Sequence, residues 1–105
     1  MRYLSNAIIY RGIVHRDSTV ELIADGTVSI SPFTTEQHST VYINGIILVA
    51  GKAIATDDML CRMLQRTVAE APTLTDAIES VISITASQPD SGQQDTPVPI
   101  ILNRS

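Results

Sequence analysis

His15, His38 and Cys61 are the only imidazole and thiol groups in the chain, and Asp25, Glu36, Asp57 and Asp58 are the carboxylates that would join them in a metal site. Zinc-type centres draw such ligands from short spacings, C-x-x-C or H-x-x-x-H, because one turn or loop must aim two donors at one ion. Neither spacing occurs here. The reading is two loop histidines and one part-buried helical thiol, with no metal and no cofactor. A nucleophilic thiol would need Cys61 beside His15 or His38. Cys61 follows closely after a helix start, where the helix dipole lowers a thiol pKa. It also sits at the edge of an apolar Met59/Met63 stripe, where a cysteine packs as a small hydrophobe. Glu36 and His38, two residues apart on a polar loop, form a close acid–imidazole pair. Gly45 and Gly51-Lys52 stand near a helix start, but five residues separate the glycines and Ala53 follows the lysine. A phosphate-binding loop needs four residues there and Ser or Thr after the Lys. No catalytic residue is assigned. His15, Glu36, His38 and Cys61 are kept as an alternative ligand-binding or enzymatic set.

The frame that holds these groups is small. A length of 105 residues supports one core, and 44% hydrophobic against 17% charged residues favours a folded chain with a sparsely charged surface. Tyr3, Tyr10, Tyr42 and Phe33 are the only aromatics, so Ile, Val and Leu must fill the interior. The net charge is −4, and the seven basic residues, of which Lys52 is the only lysine, form no stripe. Nucleic acid needs clustered cations to displace its counterions, and an anionic membrane surface needs them too, so both partners are disfavoured. A single cysteine forms no intrachain disulfide. The first dozen residues lack the sustained apolar core of a secretion signal. No run approaches the roughly 18 apolar residues of a membrane span. The expected location is cytoplasmic.

The strands come first. Tyr3–Arg11, with Ala7-Ile8-Ile9-Tyr10, reads as a strand, and Gly12–Asp17 as a connection. Ser18–Ala24 and Thr27–Phe33 read as a hairpin around Asp25-Gly26. A three-residue loop pairs Leu22 with Val28 and Val20 with Ile30, puts all four on one face and gives Gly26 the positive-φ position. A one-residue slip would reverse every side chain. Ser31–Ser39 is polar around Phe33 and reads as a loop. Thr40–Ile43 and Ile46–Val49 flank Asn44-Gly45, a favoured pair for a tight turn, and so read as a second hairpin. That turn places Val41, Ile43, Ile46 and Leu48 on one face, and Tyr42, Ile47 and Val49 on the other. Both faces are then apolar.

From Thr56 the period becomes helical. Asp57 suits an N-cap, and Met59, Leu60, Met63, Leu64 and Val68 recur on one stripe until Pro72 stops the helix near Ala71. Thr73-Leu-Thr-Asp76 resembles a capping box for a second helix bearing Leu74, Ala77, Ile78, Val81 and Ile82. The β-branched run Val81–Thr85 leaves a strand there as an alternative. Ser87–Thr96 reads as a polar linker before the apolar Val98–Leu102 tail.

Three segments, Asn6-Ala-Ile-Ile-Tyr-Arg-Gly12, Ala24-Asp-Gly-Thr-Val-Ser-Ile30 and Asn44-Gly-Ile-Ile-Leu-Val-Ala-Gly51, are similar to the order of strands that opens metal-dependent amidohydrolases. The resemblance covers the first half of the chain. The family's metal-binding His-x-His after the last strand is missing, with Lys52-Ala-Ile-Ala55 in its place. It therefore implies a β-rich module without the activity.

The expectation is an α+β fold: an antiparallel meander of β-hairpins, about five strands, followed by a two-helix hairpin packed on one sheet face. Residues 1–86 would form the domain, and 87–105 a linker and tail. Two helical stripes cover one face only. The surplus apolar side chains, Tyr42, Ile47 and Val49, with Val98, Ile100, Ile101 and Leu102 of the tail, then mark an interface. The expected function is a non-catalytic interaction domain that self-associates or binds a protein partner. An accessory subunit of a larger complex is a further alternative.

Overall fold

The computed structural model describes residues 2–22, 27–32, 40–86 and 97–104. Five strands, β1 (Arg2–Tyr10), β2 (Ile13–Leu22), β3 (Val28–Pro32), β4 (Thr40–Ala50) and β5 (Val98–Asn103), lie in the order β3-β2-β1-β4-β5. Three helices, α1 (Lys52–Ala55), α2 (Asp58–Glu70) and α3 (Leu74–Ala86), separate β4 from β5. The class is α+β as expected, but the sheet is mixed and the described residues form three helices. β1 pairs antiparallel with β2 and parallel with β4, so the strands do not form a simple meander.

The first departure is at Arg11-Gly12. Both residues have positive φ, 52° and 78°, so they close a two-residue turn from Tyr10 to Ile13. The expected connection Gly12–Asp17 is therefore mostly strand, and His15 lies within β2. The next pairing follows the hydrophobic pattern: β2 and β3 pair Leu22 with Val28 and Val20 with Ile30. The loop around Asp25-Gly26 lies outside the described residues, as do Phe33, Glu36, His38 and the polar stretch 87–96.

The second departure decides the architecture. Asn44-Gly45 is not a turn, because β4 runs straight through it. The register against β1 passes from Ser5↔Ile43 to Ala7↔Ile46, so Asn44 and Gly45 together oppose Asn6. Two residues against one is a β-bulge. Ser5, fully buried, fills it: its Oγ lies 2.9 Å from the carbonyl oxygens of both Gly45 and Ala7 and accepts the Ala7 N–H at 3.4 Å. Gly45 has φ 158°, and a Cβ on it would collide with the Leu102 carbonyl oxygen of β5. Glycine is required there by the close approach of two backbones rather than by a tight turn. A hairpin would cut β4 into two short strands. The straight strand pairs with β1 from Arg2↔Thr40 to Tyr10↔Val49, and with β5 from Gly45↔Asn103 to Ala50↔Val98. Tertiary pairing overrides the local turn preference.

Straightening β4 also re-sorts its faces. Ile46 and Leu48 join Ala7, Ile9 and Leu102 under the helices, where Leu60, Leu64 and Val68 of α2 and Ala77, Ile78 and Val81 of α3 meet them. Ile43, Ile47 and Val49 join Ile8 and Val20 on the opposite face, ringed by partly buried Tyr3, Tyr10, Val28, Ile30 and Ile101. Tyr42, by strand alternation, leaves the side of Ile47 and Val49 on which a hairpin would have placed it. The second face is not bare: Ile8 and Ile47 are 0% exposed and Val49 is 4% exposed within the single chain. The premise of an uncovered apolar face therefore fails. Fully burying each such side chain contributes roughly 1.5–3 kcal/mol, and both faces contribute.

The helices follow their sequence signals closely. Asp57 caps α2, accepting the Leu60 N–H at 3.1 Å, and the Thr73 hydroxyl accepts the Asp76 N–H at 3.1 Å to start α3. Val81–Thr85 is helical, with the Thr85 hydroxyl bonded back to the Val81 carbonyl at 2.8 Å. Met59 and Met63 fall outside the buried stripe of α2, which centres on Leu60, Leu64 and Val68. The single turn α1 is not among the elements expected from the sequence. The Gly51 carbonyl accepts the Ala55 N–H at 3.1 Å and fixes that turn. Among the described residues, no helix is long and apolar enough to cross a membrane.

Candidate functional site

Among the described residues, the groups that carry chemistry do not converge. His15 sits opposite Ile8 across β1 and β2, hence on the sheet face turned away from the helices. Cys61 sits on α2, which covers the other face. The sheet stands between the His15 imidazole and the thiol, and these two do not pair. The Cys61 thiol points to the end of α1, 3.4 Å from the Ile54 carbonyl and 3.7 Å from that of Ala55. Its pKa is raised, first by burial and then by the nearby carboxylates of Asp57 and Asp58. The acids at the start of α2, Asp57 as its cap and Asp58 in its first turn, thus oppose the thiolate that a helix start would favour. Glu36 and His38 lie outside the described residues. Among the described residues, no three of His, Cys, Asp and Glu gather where an ion could sit.

The interface residues named from the sequence separate into two groups. Ile47 and Val49 are core. Leu102 is buried, while Val98, Ile100 and Ile101 are half-buried within β5, whose pairing is with β4 of the same chain. Tyr42 stands apart at 59% exposed, next to Val41 at 42%. β5 pairs with β4 only as far as Gly45, and the Arg104 N–H adds one bond to the Asn44 carbonyl at 2.9 Å. Beyond that point β4 continues with no further β5 partner among the described residues.

Tyr42 is held in place. Its hydroxyl donates to Asn6 Oδ1 at 2.8 Å, and Asn6 Nδ2 donates to Asn44 Oδ1 at 3.1 Å. Asn6 and Asn44 are the two sides of the bulge, so the irregularity in the ladder anchors an exposed ring. Neither asparagine was singled out from the sequence for this role. The available signal was Asn44-Gly45 itself, since an Asn-Gly inside an otherwise unbroken apolar run marks either a turn or a bulge.

Compared with known proteins, the chain matches no family model, no curated protein and no solved structure.

Proposed function

We propose that this chain is a non-catalytic interaction domain that associates with a second copy of itself at the start of β4. The observation that carries the reading is the exposed Tyr42 ring, hydrogen-bonded through Asn6 to Asn44. An exposed aromatic whose polar tip is already hydrogen-bonded to its own sheet supplies an anchor for such a contact. The wider interface expected from the sequence narrows accordingly. Ile47, Val49, Val98, Ile100, Ile101 and Leu102 serve the chain's own sheet, and Tyr42 keeps the role assigned to it. The dispersal of His15 and Cys61 supports an interaction role over chemistry, and an unpaired cysteine fits a cytoplasmic setting.

Light scattering coupled to size exclusion across a micromolar concentration series tests the proposal. The wild type is expected to shift toward dimer as concentration rises. Tyr42→Glu is expected to weaken that association by roughly 30-fold or more, as loss of an aromatic anchor worth about 2 kcal/mol does. Tyr42→Phe, which keeps the ring but releases it from Asn6, should fall between. A wild type that stays monomeric at high micromolar concentration, or a dimer indifferent to Tyr42→Glu, refutes the proposal.

A further inference from the structure

β5 is an edge strand, and its outward side is closed in an unusual way. The Arg104 N–H bonds to the Asn44 carbonyl, so Arg104 and Asn44 form a hydrogen-bonded pair in the antiparallel ladder. By alternation Leu102, Ile100 and Val98 also turn their backbone groups toward β4, while Asn103, Ile101 and Pro99 turn theirs outward. An outward row of unpaired amides is a template for another strand. Pro99 has no N–H to offer. At Asn103 both outward groups are taken: the Gln65 Nε2 donates to the Asn103 carbonyl at 2.7 Å, and the Asn103 N–H donates to Gln65 Oε1 at 3.1 Å. One side-chain amide from α2 therefore makes the two bonds that a peptide group of a sixth strand would make. Ile101 is left as the single outward position with both a donor and an acceptor to share.

We propose that Gln65 is a strand surrogate which, with Pro99, guards the β5 edge against pairing with a second copy of this chain. The occupant excluded is another β5, because two copies related by a twofold axis bring the same outward groups together antiparallel at the same spacing. The guard is independent of the Tyr42 contact, which lies on β4 beyond the end of β5.

The test uses the full chain carrying Tyr42→Glu, so that the other contact does not contribute. Gln65→Ala is compared with Gln65→Ala/Pro99→Val, which restores the missing donor. Proton exchange of the Asn103 amide is expected to quicken by about fivefold to tenfold in Gln65→Ala, in line with loss of one exposed hydrogen bond. The double variant is expected to associate in a light-scattering concentration series where its parent stays monomeric, with the Ile101 amide gaining protection as it does. An unchanged Asn103 amide overturns the surrogate. A double variant no heavier than its parent, or one that associates without protecting Ile101, overturns the guard.

Discussion

Substituting Gly45 by Ala separates a bulge from a turn more sharply than any other change. In a tight Asn-Gly turn, alanine at the glycine costs only the strain of a left-handed residue, about 1–2 kcal/mol. In this fold a Cβ at position 45 meets the Leu102 carbonyl oxygen, with the Arg104 nitrogen and Asn103 Cα each 3.1 Å away. All three are backbone atoms, so no side chain can move aside. Relief requires β5 to retreat from β4, which endangers the Arg104-to-Asn44 bond and its nearest neighbours in the ladder at about 1 kcal/mol each. Adding backbone strain of about 1–3 kcal/mol gives a loss of roughly 3–5 kcal/mol. A domain of this size holds about 5–15 kcal/mol in total, so the variant should be marginal, melting roughly 12–30 °C lower. Urea unfolding followed by far-ultraviolet circular dichroism reads the loss as a fall in midpoint at constant slope. Gly45→Asn is the control. Asparagine tolerates a left-handed turn but carries the same Cβ, so it should be no better than alanine. A loss below about 1.5 kcal/mol for alanine, or clear recovery with asparagine, would refute the close approach and restore the turn.

Other consequences follow from single contacts. Leu102→Ala, which empties a buried position shared by β5 and the helices, should cost about 2–5 kcal/mol in the same urea experiment; a loss under 1 kcal/mol would mean that β5 does not complete the core. Asp57→Ala removes the acceptor of the Leu60 N–H and should cost about 1 kcal/mol, visible as a lower melting temperature. Because burial and two carboxylates raise the Cys61 pKa, alkylation by iodoacetamide should be slower than for a free thiol near neutrality and should accelerate only in alkaline solution. The same shift means the folded state disfavours the thiolate. Its contribution to stability is present below the unfolded-state pKa and is lost as pH rises through the folded one. A thiol that reacts at the free rate at neutral pH would contradict that environment.

Much of the fold was legible where local and global preferences agree. The Val20/Ile30 and Leu22/Val28 register followed from alternation, because a slip would have wasted the pattern. Both long helices followed from their caps and stripes, and Val81–Thr85 stayed helical because Ala77, Ile78 and Val81 share a buried face that a strand would have split. Failure came where pairing partners lie far apart in sequence. Nothing local to Asn44-Gly45 reveals that β1, forty residues earlier, and β5, nearly sixty later, will flank it and hold it straight. The covered second face was hidden for the same reason: Ile8, Val20 and Ile47 come from three separate strands, and their cluster exists only once the strand order is known. At the site, exposure of Tyr42 was expected, but as part of a broad face. The anchoring by Asn6 and Asn44 depends on the bulge, and the Gln65–Asn103 clasp depends on where β5 docks. Neither leaves a mark in periodicity.

The decisive observation is a nuclear magnetic resonance dilution series with a soluble paramagnetic agent, reading solvent exposure of the Ile8 and Ile47 methyl groups against the Tyr42 ring. The expected result is methyl groups shielded at every concentration, and a ring open to the agent in dilute solution that becomes shielded as copies meet. Methyl groups that are open in dilute solution would contradict a second sheet face buried within its own chain, and a Tyr42 ring whose exposure never changes would contradict the proposed contact at Tyr42.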